Sequence, residues 1–275
     1  MSRLHLRSLV LPLAAVPVLV LATITEIAAQ GTQPAEAPGI SGQPTYAVAL
    51  STAAQVAKSL CQVHETPTGW TTTGWIERSV RQSGGKYRNL VITNAHLVAL
   101  HGEGRDGRNR HRYTIKYAGN SYPAYRIAYV TTRKPDLAAF CFDTSSQLPD
   151  VDLSQSDPRP NEYVQTMGFP YFSAGRYLFS QGRVLRAADV YSIDASYRSE
   201  SGQSGSPVIN ARGEVCGINH SKDRQHGPGN GLFCGVGPIR RFIRGICQRR
   251  GFPRGYSERP FALPFQNDNP LGEYG

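Results

Sequence analysis

Three short stretches carry residue types that could do covalent chemistry together. Thr93-Asn94-Ala95-His96-Leu97-Val98 sets a histidine just after an apolar run. Pro135-Asp136-Leu137-Ala138-Ala139-Phe140 sets an aspartate at the mouth of another. Gly202-Gln203-Ser204-Gly205-Ser206-Pro207 sets a serine between glycines. A serine hydroxyl is a weak nucleophile until a base within hydrogen-bond reach takes its proton and a third group orients that base. Histidine titrates near neutrality and suits the first task, and a carboxylate suits the second. Each stretch alone has a plainer reading: a core histidine, a strand-end cap and a polar turn before Val208-Ile209. Taken in one chain, in the order base, acid, nucleophile, they form a set. His96 stands between apolar neighbours. His5, His64, His101, His111 and His226 fall in a leader, before Glu65-Thr66-Pro67, or beside Gly-rich loops.

The elements that must hold such a set read as β-strands. From about Ala54 the chain alternates short apolar runs with turn signals. Gly74-Trp75-Ile76, Leu90 to Thr93, Tyr113 to Tyr117, Tyr125 to Val130 and Leu137 to Phe142 form a first group. Residues 144–160 read as a connector. A second group holds Tyr163 to Met167, Tyr177 to Phe179, Arg183 to Leu185, Val190 to Ile193, Val208-Ile209, Val215 to Ile218 and Leu232 to Cys234. Runs this short, aromatic and β-branched, at hairpin spacing, predict strands, and two successive all-β halves predict two packed barrels or sandwiches. Pro238 opens a helix over 238–250. Ile239, Phe242, Ile243, Ile246 and Cys247 share one face, while arginines take the other face and the C-terminal end. Four prolines and no periodicity make 251–275 a mobile tail.

The start of the chain reads as an address. Arg3, His5 and Arg7 precede an apolar run from Leu9 to Ala22, broken by Pro12 and Pro17 and followed by Ala28-Ala29. That is the pattern of a secretory signal over 1–29. Its apolar run is short of the roughly 20 residues that span a bilayer. An uncleaved anchor is the alternative. Residues 30–54 read as a flexible lead-in or pro-region. The expectation is a secreted or periplasmic protein with no stable membrane insertion after signal removal.

Of 30 basic and 20 acidic side chains, the leader holds only Arg3, Arg7 and Glu26, so the mature chain stays strongly basic. The charge could draw anionic partners, but no nucleic-acid motif accompanies it and nucleic-acid binding is not expected. Five cysteines, Cys61, Cys141, Cys216, Cys234 and Cys247, could form disulfides in an exported chain, with at least one left over. Cys216 and Cys234 could face each other on neighbouring strands. No CxxC or HExxH suggests a metal site, and no cofactor is expected.

The stretches TNAHLV, PDLAAF and GQSGSPV resemble the histidine, aspartate and serine motifs of trypsin/chymotrypsin-like serine endopeptidases. Together with Gly168-Phe169-Pro170 they resemble most the bacterial glutamyl endopeptidase and HtrA-type members. The resemblance covers about 55–247. It implies two packed six-stranded antiparallel β-barrels with a C-terminal helix, 55–150 carrying His96 and Asp136 and 151–237 carrying Ser204. It implies Ser204 as nucleophile, His96 as general base and then acid, and Asp136 as the group orienting the imidazole. Backbone N–H groups of Gly202 and Ser204 would form the oxyanion hole, and the substrate would be a polypeptide.

Two departures stand out. Gln203 occupies the place of the aspartate that trypsin-like zymogens use to bind a freed N-terminus, so activation by that ion pair is not available. Asn219 replaces the histidine of the Gly-Ile-His segment that helps glutamyl endopeptidases bind acidic side chains, with His220 one place later. Arg198, Ser199, Asn219 and His220 are the expected substrate-pocket residues. Two other functions compete. An α/β-hydrolase esterase would need its acid and histidine after the serine. A basic binding module on a protease-like fold would use the net charge and the Arg-rich helix instead of the triad.

Overall fold

The structure is a computed structural model that describes residues 46–66, 69–96, 112–129, 134–223 and 230–250. The expected leader, the mobile tail, His101, His111 and His226 lie outside the described residues. The first element is a helix, α1 (Tyr46–Ala57), which occupies the end of the stretch read as a flexible lead-in. Its Ala53 and Val56 are buried, so from this helix on the chain already contributes to the core.

Six strands follow: β1 (Leu60–Thr66), β2 (Thr71–Arg81), β3 (Tyr87–Thr93), β4 (Arg112–Tyr117), β5 (Asn120–Tyr129) and β6 (Ala138–Thr144). Antiparallel pairing in the order β1-β2-β3-β6-β5-β4 closes them into a barrel. Six more, β7 (Tyr163–Gly168), β8 (Leu178–Asp189), β9 (Ser192–Arg198), β10 (Pro207–Asn210), β11 (Val215–Asp223) and β12 (Asn230–Gly235), close a second barrel in the equivalent order. A C-terminal helix, α2 (Val236–Arg250), completes the fold. These antiparallel barrels rule out the α/β-hydrolase alternative, which needs parallel strands with helical crossovers.

Alternation along the strands explains where the core sits. On β3, Val91 points into the first barrel with Val63, Ile115 and Phe140, while Leu90 and Ile92 point out of it. The outward pair is also fully buried, because it meets Met167, Ile209 and Ile218 of the second barrel across a shared seam. Successive strand residues face opposite ways, so a strand that is apolar on both faces must be covered twice. The second barrel holds its own interior of Val164, Val184, Tyr197, Val208 and Phe233. Helix α2 adds Ile239, Phe242, Ile243 and Ile246 to the seam, the stripe its spacing predicts. Asp157 accepts the Gly237 N–H at 2.9 Å and satisfies one of the orphan donors of its first turn. Burying each such Ile or Phe stabilises by about 1.5–3 kcal/mol, so the seam is a main site of barrel docking.

Cys61, Cys141, Cys216 and Cys234 are buried free thiols. Cys216 and Cys234 do not face each other. The register sets Ile218 opposite Cys234. Cys216 lies inside the second barrel, whereas Cys234 faces the seam. Among the described residues no helix is long and apolar enough to cross a membrane.

Candidate active site

His96 and Asp136 meet because β3 and β6 are antiparallel neighbours. Their register pairs Thr93 with Ala138, so the residues just after β3 lie beside those just before β6. Three hydrogen bonds fasten the two ends. Asn94 Nδ2 donates to the Asp136 main-chain carbonyl at 2.8 Å. The His96 backbone N–H donates to Asp136 Oδ1 at 2.7 Å. The imidazole Nδ1–H donates to Oδ2 at 2.5 Å. With Nδ1 holding the proton, Nε2 carries the free lone pair that a general base needs. Burial alone would lower the basicity of His96. The Asp136 hydrogen bond and charge outweigh it and hold the ring above its ordinary pKa of 6.5. The side chain is still 37% exposed, so substrate can reach it, while Asp136 is 14% exposed behind it.

Ser204 sits on the turn between β9 and β10. Gly202 has φ +97° and Gly205 φ +83°, a region L side chains rarely adopt. A Cβ at 202 would lie 2.7 Å from both the Phe169 carbonyl and the Tyr171 nitrogen, and one at 205 would overlap the Thr73 carbonyl and Thr93 Oγ1. The glycine at 205 thus lets the turn press onto the first barrel at Thr93, three residues before His96. The Ser204 hydroxyl donates to the main-chain carbonyl of His220 at 3.2 Å.

The carbonyls that precede the Gly202 and Ser204 N–H groups are tied down. The Ser201 carbonyl accepts the Tyr171 N–H at 3.0 Å. The Gln203 carbonyl accepts Asn219 Nδ2 at 3.0 Å and the Ser206 N–H at 3.1 Å. In a trans peptide the N–H points opposite to the preceding carbonyl. The N–H groups of Gly202 and Ser204 are therefore turned away from Tyr171 and Asn219, and neither has an acceptor among the described residues. Two fixed donors one residue apart are the arrangement that stabilises a developing oxyanion.

The first barrel supplies the clamps. Thr73 N–H and Thr72 Oγ1 donate to the Ser204 carbonyl at 3.0 and 2.5 Å. Thr73 Oγ1 donates to the Gly202 carbonyl at 3.0 Å and accepts the Phe169 N–H at 2.9 Å. Gln203 is buried. Its Oε1 accepts the Glu200 N–H at 2.8 Å and its Nε2 donates to the Leu178 carbonyl at 3.3 Å. A neutral amide thus braces the turn where the zymogen family uses an ion pair.

The expected pocket residues divide. Ser199 and Asn219 are buried together. Asn219 Nδ2 donates to Ser199 Oγ at 2.9 Å, and Tyr197 donates its hydroxyl to Asn219 Oδ1 at 3.1 Å. Arg198 points elsewhere: its side chain is 77% exposed and bonds Glu200 at 2.6 Å. Burial lowers the His220 pKa below its ordinary value, with the Asp136 charge opposing that shift and the His96 ring reinforcing it. Thr72, Thr73, Tyr171 and Tyr197 carry no motif and were not legible as site residues.

A family model for the trypsin-like peptidase domain matches residues 72–218, a span that contains His96, Asp136 and Ser204. The chain is similar to "Serine protease HTRA1B" of Danio rerio, 34% identical over 144 residues, which cover 48% of this chain and 28% of that protein. It is similar to "Serine protease HTRA2, mitochondrial" of Bos taurus, 31% identical over 148 residues, 48% of this chain and 29% of that protein. It is also similar to "Serine protease HTRA3" of Homo sapiens, 33% identical over 143 residues, 48% and 31%. The chain thus spans under a third of the length of these curated relatives.

Proposed function

Because the chain belongs to the trypsin-like peptidase domain family, we propose that it is a serine endopeptidase in which Ser204, His96 and Asp136 act as the triad. The observation that carries this reading is the bidentate hold of Asp136 on His96, through the backbone N–H and Nδ1. It fixes the tautomer that leaves Nε2 free to take a proton.

The reaction follows from the groups in place. On substrate binding the Ser204 hydroxyl turns from the His220 carbonyl to His96 Nε2. Its proton passes to the imidazole as Oγ attacks the scissile carbonyl carbon. Asp136 stabilises the imidazolium, and the carbonyl oxygen, now negative, receives the N–H groups of Gly202 and Ser204. Collapse breaks the C–N bond, the leaving amine takes the proton from His96, and an ester to Ser204 remains. Water, deprotonated by His96, hydrolyses that ester and returns Ser204 and the acid product. The basic, Pro-broken leader over 1–29 supports export from the cytoplasm, so the proposed substrates are extracytoplasmic polypeptides.

The test is labelling of the purified protein with a fluorophosphonate probe and peptide mapping of the adduct. The expected adduct is on Ser204. Ser204→Ala, folded by circular dichroism, is expected to lose both the adduct and casein hydrolysis. Undiminished proteolysis by that variant overturns the reading.

A further inference from the structure

We propose that the cavity where β1, β4 and β5 meet the loop after β7 binds a small amphipathic carboxylate, an acyl chain with one anionic head, at a site separate from the triad. The cavity has a volume of about 560 Å³, within the range of about 300–1,000 Å³ in which proteins hold small ligands. Leu60, Lys116 and Tyr117 of the first barrel line it, with Pro149 of the connector and Phe169 from the loop after β7.

Strand register builds its polar floor. Cys61 and Val63 of β1, and Tyr113 and Ile115 of β4, belong to the interior of the first barrel. Alternation therefore sets Leu60, Gln62 and Lys116 on the outer face. Gln62 stands opposite Lys116, and Lys116 stands opposite Ser121. Residues directly opposed across a ladder share one face, and all three line the cavity. The row offers an amide, an ammonium and a hydroxyl side by side, a set of donors suited to the two oxygens of a carboxylate. Buried Leu60, two residues before Gln62, and the ring of Phe169 supply the apolar surface for a tail.

Charge selects the head. Lys58 joins Lys116 in the lining, and no acidic residue does. The Lys58 ammonium donates to the neutral Gln55 Oε1 at 2.9 Å. Among the described residues neither lysine is paired with a carboxylate, whereas Arg88, Arg186, Arg198 and Arg212 each are. Two cations in a partly apolar cavity without an acid complement one anion.

The backbone selects the tail. Each of β1, β4 and β5 is paired on both sides within the closed barrel, so the cavity offers no free strand edge to a peptide main chain. An acyl chain asks for no hydrogen bonds. The Tyr117 hydroxyl donates to the Lys58 carbonyl at 2.8 Å, which fastens the link between α1 and β1 to β4. The wall is thus held in place before a ligand arrives, which lowers the cost of binding.

The experiment is isothermal titration of the purified full chain with decanoate, kept below its micelle concentration. Decan-1-ol is the uncharged control, and the peptide Ala-Ala-Leu-Phe with a free C-terminus is the competing source of a carboxylate. Lys116→Met keeps the apolar stem, and its fold is checked by circular dichroism. One saturable decanoate site is expected. Binding should be about tenfold weaker in K116M and about tenfold weaker for decan-1-ol, the loss of one charge-assisted hydrogen bond. A diazirine-bearing decanoate, irradiated in place, should mark peptides containing residues 57–62, 116–121 or 169–175. Absence of saturable binding, equal affinity for decanoate and decan-1-ol, equal affinity in K116M, tighter binding of the peptide than of decanoate, or labelling confined to other segments overturns the proposal. None of these outcomes depends on the fluorophosphonate result at Ser204, so this site and the catalytic reading fail separately.

Discussion

Thr73→Val removes one hydroxyl and keeps the side chain's shape, and it should separate catalysis from packing. Thr73 is fully buried on β2, and its Oγ1 joins three segments. It donates to the Gly202 carbonyl at 3.0 Å and accepts the Phe169 N–H at 2.9 Å. In the variant both partners keep their places but lose their bond. Each polar group left buried and unpaired costs about 1–3 kcal/mol. Two such groups, partly re-solvated, give a loss of about 2–4 kcal/mol. At about 2–4 °C per kcal/mol for a domain of this size, the thermal midpoint should fall by roughly 4–16 °C.

The catalytic effect arises at the Gly202–Ser204 turn. Complete loss of one oxyanion donor costs about 10²–10³ in kcat. Here the turn keeps the Tyr171 N–H on Ser201 and the Gln203 side chain, so the donor loosens without leaving. The expected fall in kcat is about 10–100-fold, with KM little changed, because the interaction matters chiefly once the oxyanion forms. The assay is steady-state turnover of a fluorogenic peptide, corrected by active-site titration, well below the unfolding transition followed by circular dichroism. A variant that unfolds early but turns over within twofold of wild type would refute the argument that the first barrel aims the oxyanion donors.

Two further outcomes follow from proton affinities. His96 must be neutral to accept the Ser204 proton, and Asp136 holds its pKa above 6.5. Activity should therefore be lost on acidification through a midpoint above 6.5. In Asp136→Asn that midpoint should move down while the plateau drops by up to about 10⁴, the loss known for the same change in the chymotrypsin triad; an unmoved midpoint in a titration of kcat/KM would contradict the assignment. Burial pushes the Cys141 and Cys234 thiols up to about 12. Iodoacetamide at pH 8 should leave both unmodified in the native protein and alkylate both in denaturant, as read by peptide mapping, because the thiolate is the reacting form.

Much of the fold was written in local pattern. Tyr113 to Tyr117 and Leu137 to Phe142 announce strands by type and spacing, and the first group of strands ends at Thr144 while the second begins at Tyr163. Strand β1 was not legible. Its Leu-Cys-Gln-Val-His-Glu-Thr carries four polar residues, and Glu65 is nonetheless buried. Sequence pattern divides strand β8 into two pieces, Tyr177 to Phe179 and Arg183 to Leu185, where the structure has one strand. Gly182 is in fact where the β9 backbone passes, since a Cβ there would lie 2.5 Å from the Tyr197 nitrogen.

At the site, a histidine or a serine between glycines can be seen in sequence because its chemistry is carried by its type. Arg198 also looked chemical, yet the strand's alternation turns it to solvent and to Glu200. Thr73 could not be seen. Its role is a hydrogen bond to a residue 129 positions away, and nothing in a threonine within a strand announces such a partner.

The seating of Gly205 against Thr73 and Thr93 has a consequence for how the protein comes into being. On the proposed triad, the first barrel emerges during synthesis with its base and acid but without the nucleophile. The second emerges with a nucleophile whose turn still lacks the clamps of Thr72 and Thr73. On that reading neither half alone would be a competent hydrolase. On that reading the capacity to cut would arise only when the late-made barrel closes on the early-made one, and the order in which the parts arrive would protect a newly made chain from itself.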